Sequence, residues 1–244
     1  MCREQLPVWQ KFYEAHQNDN FEILAIAMDA QGAEVARRFT EAAGVQFPAA
    51  IDRAQGLWEL YGFNVIPNGF FVDENGILRY VNIGGFEVRN AEHARAIEDL
   101  LAAPANPTTL ASTKSPAFGT VEEALREAEK ALARDPENLD LQLTLVERRV
   151  VSGELERARQ GFEAVLAQNP RSARALVGLA AVFLDQGERA QALAALKQAW
   201  AIEPDNWIIR KQIWAVEHPE QFYPAINTEW QRERIKQEKG GNGP

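Results

Sequence analysis

Proline recurs at intervals of 34 residues in the second half of the chain, at Pro136, Pro170 and Pro204. These prolines stand in Asp-Pro-Glu-Asn, Asn-Pro-Arg-Ser and Glu-Pro-Asp-Asn. Gly153 and Gly187 keep the same interval, as do Ala124, Ala158 and Ala192. Leu145 pairs with Leu179, and Leu132, Leu166 and Trp200 form a further series. A register shared by so many positions restricts the chain to stacked units, each too small to bury its own apolar face. Small residues fit where the two helices of a hairpin approach closely. Glycine fits the tight turn, and proline breaks the chain between units.

This pattern resembles the tetratricopeptide repeat. The resemblance implies an all-α array over 120–217, with two full units at 137–170 and 171–204. Helix 121–134 would cap the front and 205–217 the rear. Val146 and Arg149 depart from the small and aromatic residues preferred at their positions, which makes the first unit's packing the weaker of the two. Such an array either presents a concave surface to a peptide or partner protein or merely extends the molecule. Trp200, Trp207, Trp214 and Trp230 are four of the six tryptophans, and large aromatics at helical spacing read as core staples. Residues 218–244 form a charged helix expected to pack back on the array, and a tail, Gly240–Pro244, expected to be disordered.

The first half reads differently. Residues 3–17 have Leu6, Trp9, Phe12 and Tyr13 at helical spacing, with Pro7 in the early turns. Phe21–Met28 is a continuous apolar run of strand length, the pattern of a strand buried on both faces. A helix follows over Ala33–Ala43 and stops at Gly44. Phe47–Ile51 is a short strand and Gln55–Tyr61 a short helix. Gly69–Val72 and Ile77–Ile83 flank Asp73-Glu74-Asn75-Gly76, a hairpin signal. Ala91–Leu101 closes this part as a helix, giving an α/β layout over 1–103. Pro104–Gly119, rich in Pro, Thr, Ser and Ala, reads as a linker.

Charge excludes some functions. The net charge of −9 divides unevenly, with 8 Lys and Arg against 15 Asp and Glu up to Ala103. An acidic front half argues against a phosphate backbone as partner, so no nucleic acid is expected. No apolar run approaches the ~20 residues that cross a bilayer, so no membrane span is expected. Cys2 is the one cysteine, which removes a disulfide framework or a multi-cysteine metal site. His16, His93 and His218 are far apart and read as surface residues. No cofactor or metal is expected, and no glycine-rich phosphate loop or Ser/His/Asp arrangement is visible. Asp52, Asp73, Glu74 and Glu87 are explained by turn and surface roles.

Thiol redox chemistry needs a thiolate of lowered pKa, commonly made at a helix N-terminus. Cys2-Arg3-Glu4-Gln5-Leu6-Pro7 opens a helix in that way. Cys2-Arg3 followed by Pro7 resembles the second cysteine and following helix of TlpA/ResA-type thiol–disulfide oxidoreductases, in the thioredoxin-like redoxin group. The stretch Tyr61-Gly62-Phe63-Asn64-Val65-Ile66-Pro67-Asn68-Gly69-Phe70-Phe71-Val72-Asp73-Glu74-Asn75-Gly76 resembles the group's proline strand and acidic-glycine turn. The resemblance covers about residues 2–103. It implies that Cys2 is the resolving cysteine and that Pro67 is a cis-proline lying against the dithiol. Asn68 departs from the threonine often found there.

The resemblance also implies a leading, nucleophilic cysteine three residues before Cys2, delivered by a strand central to the sheet. Without that strand two edges would hold unpaired backbone groups, each costing about 1–3 kcal/mol. The expectation is therefore a domain truncated at its N-terminus, with Met1 an internal methionine of a Cys-x-Met-Cys-Arg site. In a sharper version the nucleophile is selenocysteine, whose codon was read as a stop. Two functions remain open. One is a thiol–disulfide oxidoreductase acting on protein disulfides, with the repeats recruiting a partner. The other is a non-catalytic scaffold with a redox-dead front domain. A peroxiredoxin-like peroxidase is a related alternative. Relatives of this type are often exported or membrane-tethered, so the compartment is left unassigned.

Overall fold

The computed structural model describes residues 2–53, 56–83, 89–103, 120–223 and 226–240. The linker expected over 104–119 and the tail from 241 onward lie outside the described residues. Gly240, expected in that tail, is instead the last residue of a helix.

The front part begins with α1 (Cys2–Ala15), which carries Pro7 inside it. Its inner side meets the following segment through edge-on ring contacts of Phe12 with Phe21 and of Tyr13 with Phe47. The Gln46 amide also donates to Gln10 Oε1 at 2.7 Å. Strand β1 (Ala25–Ala27) pairs in parallel with β2 (Ala49–Ile51), across α2 (Ala33–Ala42). The run Phe21–Met28 was expected to be a strand buried on both faces, and here the structure differs. Only three residues are extended and paired, while Leu24 is 53% and Ile26 43% exposed. The cause is that β1 has a described neighbour on one edge alone.

After α3 (Leu57–Tyr61) comes the hairpin of β3 (Asn68–Val72) and β4 (Leu78–Ile83), and then α4 (Ala91–Ala102). Asp73 builds the hairpin turn. Its Oδ1 accepts from the amides of Asn75 and Ile77, both at 2.9 Å, and Gly76 takes φ +78°. Among the described residues the strands form two separate two-stranded sheets, β1–β2 and β3–β4, with no hydrogen bonds between them.

The back part is a run of antiparallel helices: α5 (Val121–Arg134), α6 (Leu139–Ser152), α7 (Leu155–Gln168), α8 (Ala173–Asp185), α9 (Arg189–Ile202) and α10 (Trp207–Glu217). The 34-residue register sets their ends. Asn138, Ser172 and Asn206 each cap a first helix, accepting amide hydrogens two or three residues on. Gly153 and Gly187 take φ +81° and +76° at the hairpin turns, where a side chain would be strained. The front cap α5 starts on a reciprocal capping box of Thr120 and Glu123.

Val146, larger than its position prefers, fits because Gly161 stands opposite it on α7. A Cβ at Gly161 would fall on the Val146 methyls. In the second unit Gly178 lies against the ring of Phe162 in the same way. Helix α11 (Thr228–Gly240) folds back on α10. Trp230 meets Trp214 edge-on at 5.7 Å, and Glu238 takes the Trp214 indole N–H and pairs with Arg210. Trp214 is buried, whereas Trp200, Trp207 and Trp230 are half-buried. Arg210 lies over three of these rings, 4.7 to 5.3 Å from the centroids of Trp200, Trp207 and Trp214. No described helix is long and apolar enough to cross a membrane.

One apolar core runs through both parts. Met28, Trp58 and Phe63 from the front belong to the same buried cluster as Val177, Phe162, Leu196 and Ile209 from the array, with Ile66 and Phe70 packed against it.

Candidate functional site

Cys2 is the first residue of α1, where unpaired amides and the helix dipole favour a negative charge. Its side chain lies outside the described residues. Pro67 immediately precedes β3, and the Ile66–Pro67 peptide is cis. The loop carrying it is closed locally, since the Asn68 side-chain amide donates to Val65 O at 2.6 Å. Asn68, the departure from threonine, thus spends its donor on the loop itself. Phe70, two residues into β3, packs against Tyr61 at 4.5 Å and Phe63 at 5.9 Å. The Phe63 amide bonds Trp58 O, which fixes the approach to the loop at the end of α3.

The histidines are half-buried, each with a partner, where surface residues were expected. His16 Nδ1 lies 2.6 Å from Asp19 Oδ2, His93 Nε2 is 2.9 Å from the Asn82 amide, and His218 packs on Trp230. Among the described residues no group of three or more His, Cys, Asp or Glu could hold a metal. Asp52 caps α3, accepting from the amides of Gly56 and Leu57. Asp73 serves its turn and pairs with Arg79 at 2.6 Å.

Sequence reasoning missed a second set of residues, which joins the front part to the helical array. The Trp207 amide, at the start of α10, donates to Asn64 O at 3.0 Å. Gln212, buried on α10, donates to Met28 O at 2.7 Å and accepts from the Ala30 amide at 3.2 Å. Its side chain therefore supplies backbone partners to the end of β1. Arg53 pairs through both terminal nitrogens with Asp185 of α8, and its Nη2 also reaches Ala30 O at 3.1 Å and Ala181 O at 3.3 Å. Tyr223 donates its hydroxyl to Asp29 Oδ2 at 3.2 Å and stacks on Phe39. Gln212 directly follows Arg210 and Lys211 in the sequence, so no local pattern marks it as a buried amide in need of partners.

Residues 1–81 match the AhpC/TSA family, and residues 117–181 and 152–208 match the tetratricopeptide repeat. The sporulation thiol-disulfide oxidoreductase A of Bacillus subtilis (strain 168) is 29% identical over 85 residues, 34% of this chain and 52% of that protein. Thiol-disulfide oxidoreductase ResA of Geobacillus thermodenitrificans (strain NG80-2) is 30% identical over 83 residues, 34% of this chain and 47% of that protein. The ResA of Bacillus thuringiensis (strain Al Hakam) is 32% identical over 76 residues, 31% and 43% of the two chains. The chain spans about half the length of the curated relatives it matches. Its N-terminal part is a thioredoxin-like domain of the AhpC/TSA family, homologous to the ResA-type thiol-disulfide oxidoreductases, and its C-terminal region is an array of tetratricopeptide repeats.

Proposed function

We propose that the protein is a thiol–disulfide oxidoreductase acting on disulfides of partner proteins. The observation that carries this reading is a cysteine opening α1 in a domain homologous to ResA-type thiol-disulfide oxidoreductases. In the proposed cycle a thiolate or selenolate three positions before Cys2, in a longer reading frame, attacks one sulfur of the substrate disulfide. A mixed disulfide forms and one substrate thiolate leaves. The Cys2 thiolate then attacks the enzyme-side atom of that bond, releasing the second substrate thiol and closing a bond between Cys2 and the nucleophile. Substrate is reduced by two electrons and the protein's pair is oxidised. The start of α1 favours the thiolate form of Cys2. Pro67 holds the substrate backbone beside the pair.

The separation of β1–β2 from β3–β4 among the described residues supports the longer reading frame, since one further strand would fit the edges that have no described neighbour. A second reading, a scaffold without redox activity, is favoured by the presence of one cysteine in the 244 residues. Insulin reduction by this chain and by a version extended upstream separates the two. Turnover confined to the extended protein, and lost in its Cys2→Ser variant, is expected. Inactivity of both proteins would favour the scaffold.

A further inference from the structure

The repeats are usually taken to wait for a partner, yet in this chain the surface they offer is covered. Helices α6, α8 and α10 are the first helices of successive hairpins, and α8 packs on α6, α7 and α9 on its other sides. Ten of its thirteen residues are nevertheless buried, from Ala173 through Phe183. A helix in a stack of hairpins normally keeps one stripe for solvent or ligand. The stripe of α8 that runs through Arg174, Ala181 and Asp185 instead meets the thioredoxin-like domain. Arg53 binds the Ala181 carbonyl and the Asp185 carboxylate. Arg174, itself held by Glu147 of α6 through two bonds of 2.7 Å, stands beside Gly56. One helix further on, α10 holds Met28 and Ala30 through Gln212, and Asn64 through the Trp207 amide.

We infer that the face of the array formed by α8 and α10 is the docking surface for this chain's own thioredoxin-like domain, and that docking fixes the two loops at 28–32 and 64–67. Apolar fill, a doubly bonded ion pair and four hydrogen bonds to backbone groups act together, which is the make-up of a specific interface. A foreign peptide on the α8 and α10 part of this face would have to displace the domain. The inference concerns the array's role and stands apart from the thiol chemistry proposed above, because its test reads no activity.

The test is amide hydrogen exchange on the full chain. The amides of Ala30 and Trp207 are bonded across the interface alone, so they report docking directly. Arg53→Glu and Asp185→Arg should each speed their exchange at least tenfold, with Phe162 in α7 unchanged. The double variant, Arg53→Glu with Asp185→Arg, should regain most of the protection. Should a single variant also loosen α7, recovery in the double variant still supports docking through this pair, and failure to recover counts against it. Fast exchange of Ala30 and Trp207 in the unaltered protein, or no change in either single variant, would overturn the inference.

Discussion

Gly178 and Phe162 show how far a single methyl group matters in the array. Phe162 is fully buried, and a Cβ at Gly178 would land on its ring. Glycine costs a helix about 1 kcal/mol relative to alanine, so an exposed glycine there would be a poor choice. With the ring immobile, Gly178→Ala should destabilise the protein by about 1–3 kcal/mol through overpacking. Urea unfolding checks this, and a midpoint equal to or above that of the unaltered chain would refute it. Gly161 and Val146 repeat the arrangement one hairpin earlier. In the sequence Val146 reads as a defect of the first unit. Its partner lies 15 residues away on another helix, so only the packed pair reveals the compensation. The local placement of Cys2 at a helix start and of Pro67 before a strand is legible for the opposite reason. Each placement belongs to a local motif that needs no knowledge of distant neighbours.

At the scale of elements, local signals are read well and burial is read badly. The β3–β4 hairpin was visible from Asp73 to Gly76, because turn chemistry is carried by the turn residues themselves. The shortness of β1 within Phe21–Met28 is not legible, because the extent of a strand depends on what lies beside it. The hairpin also carries a pH dependence. Hydrogen bonding from the Ile77 amide, with Arg79 and the Asn75 amide adding to it, holds the Asp73 carboxyl below its ordinary value. A carboxylate whose pKa is depressed on folding stabilises the fold above its unfolded value, and that stabilisation is lost as pH falls through the folded one. The turn should therefore loosen on acidification below the usual carboxylate range, seen as faster exchange of the Ile77 amide after correction for intrinsic rates. Asp73→Asn should remove most of this pH dependence. Equal slopes for both proteins would sink the assignment.

For the whole molecule, composition and periodicity divide the chain into two parts, and this division is easily mistaken for independence. The hydrogen bonds that join the parts link residues 128 to 194 apart. No local pattern announces them. Since one apolar cluster includes both Trp58 and Leu196, the two parts should unfold together. Calorimetry should show a single transition with equal calorimetric and van't Hoff enthalpies, and two resolved transitions would contradict a shared core.

Gln212 also has a consequence for how the chain is made. It completes the backbone bonding of Met28 and Ala30 from 184 and 182 positions downstream. During synthesis, which proceeds at about 5–20 residues per second, the segment after β1 leaves the ribosome long before Gln212 exists. Contacts of such wide sequence separation form late, because the intervening loop must first be closed. The first domain to emerge is therefore the last to be finished, and until α10 arrives the polar backbone groups of Met28 and Ala30 wait for the side chain that will bury and bond them.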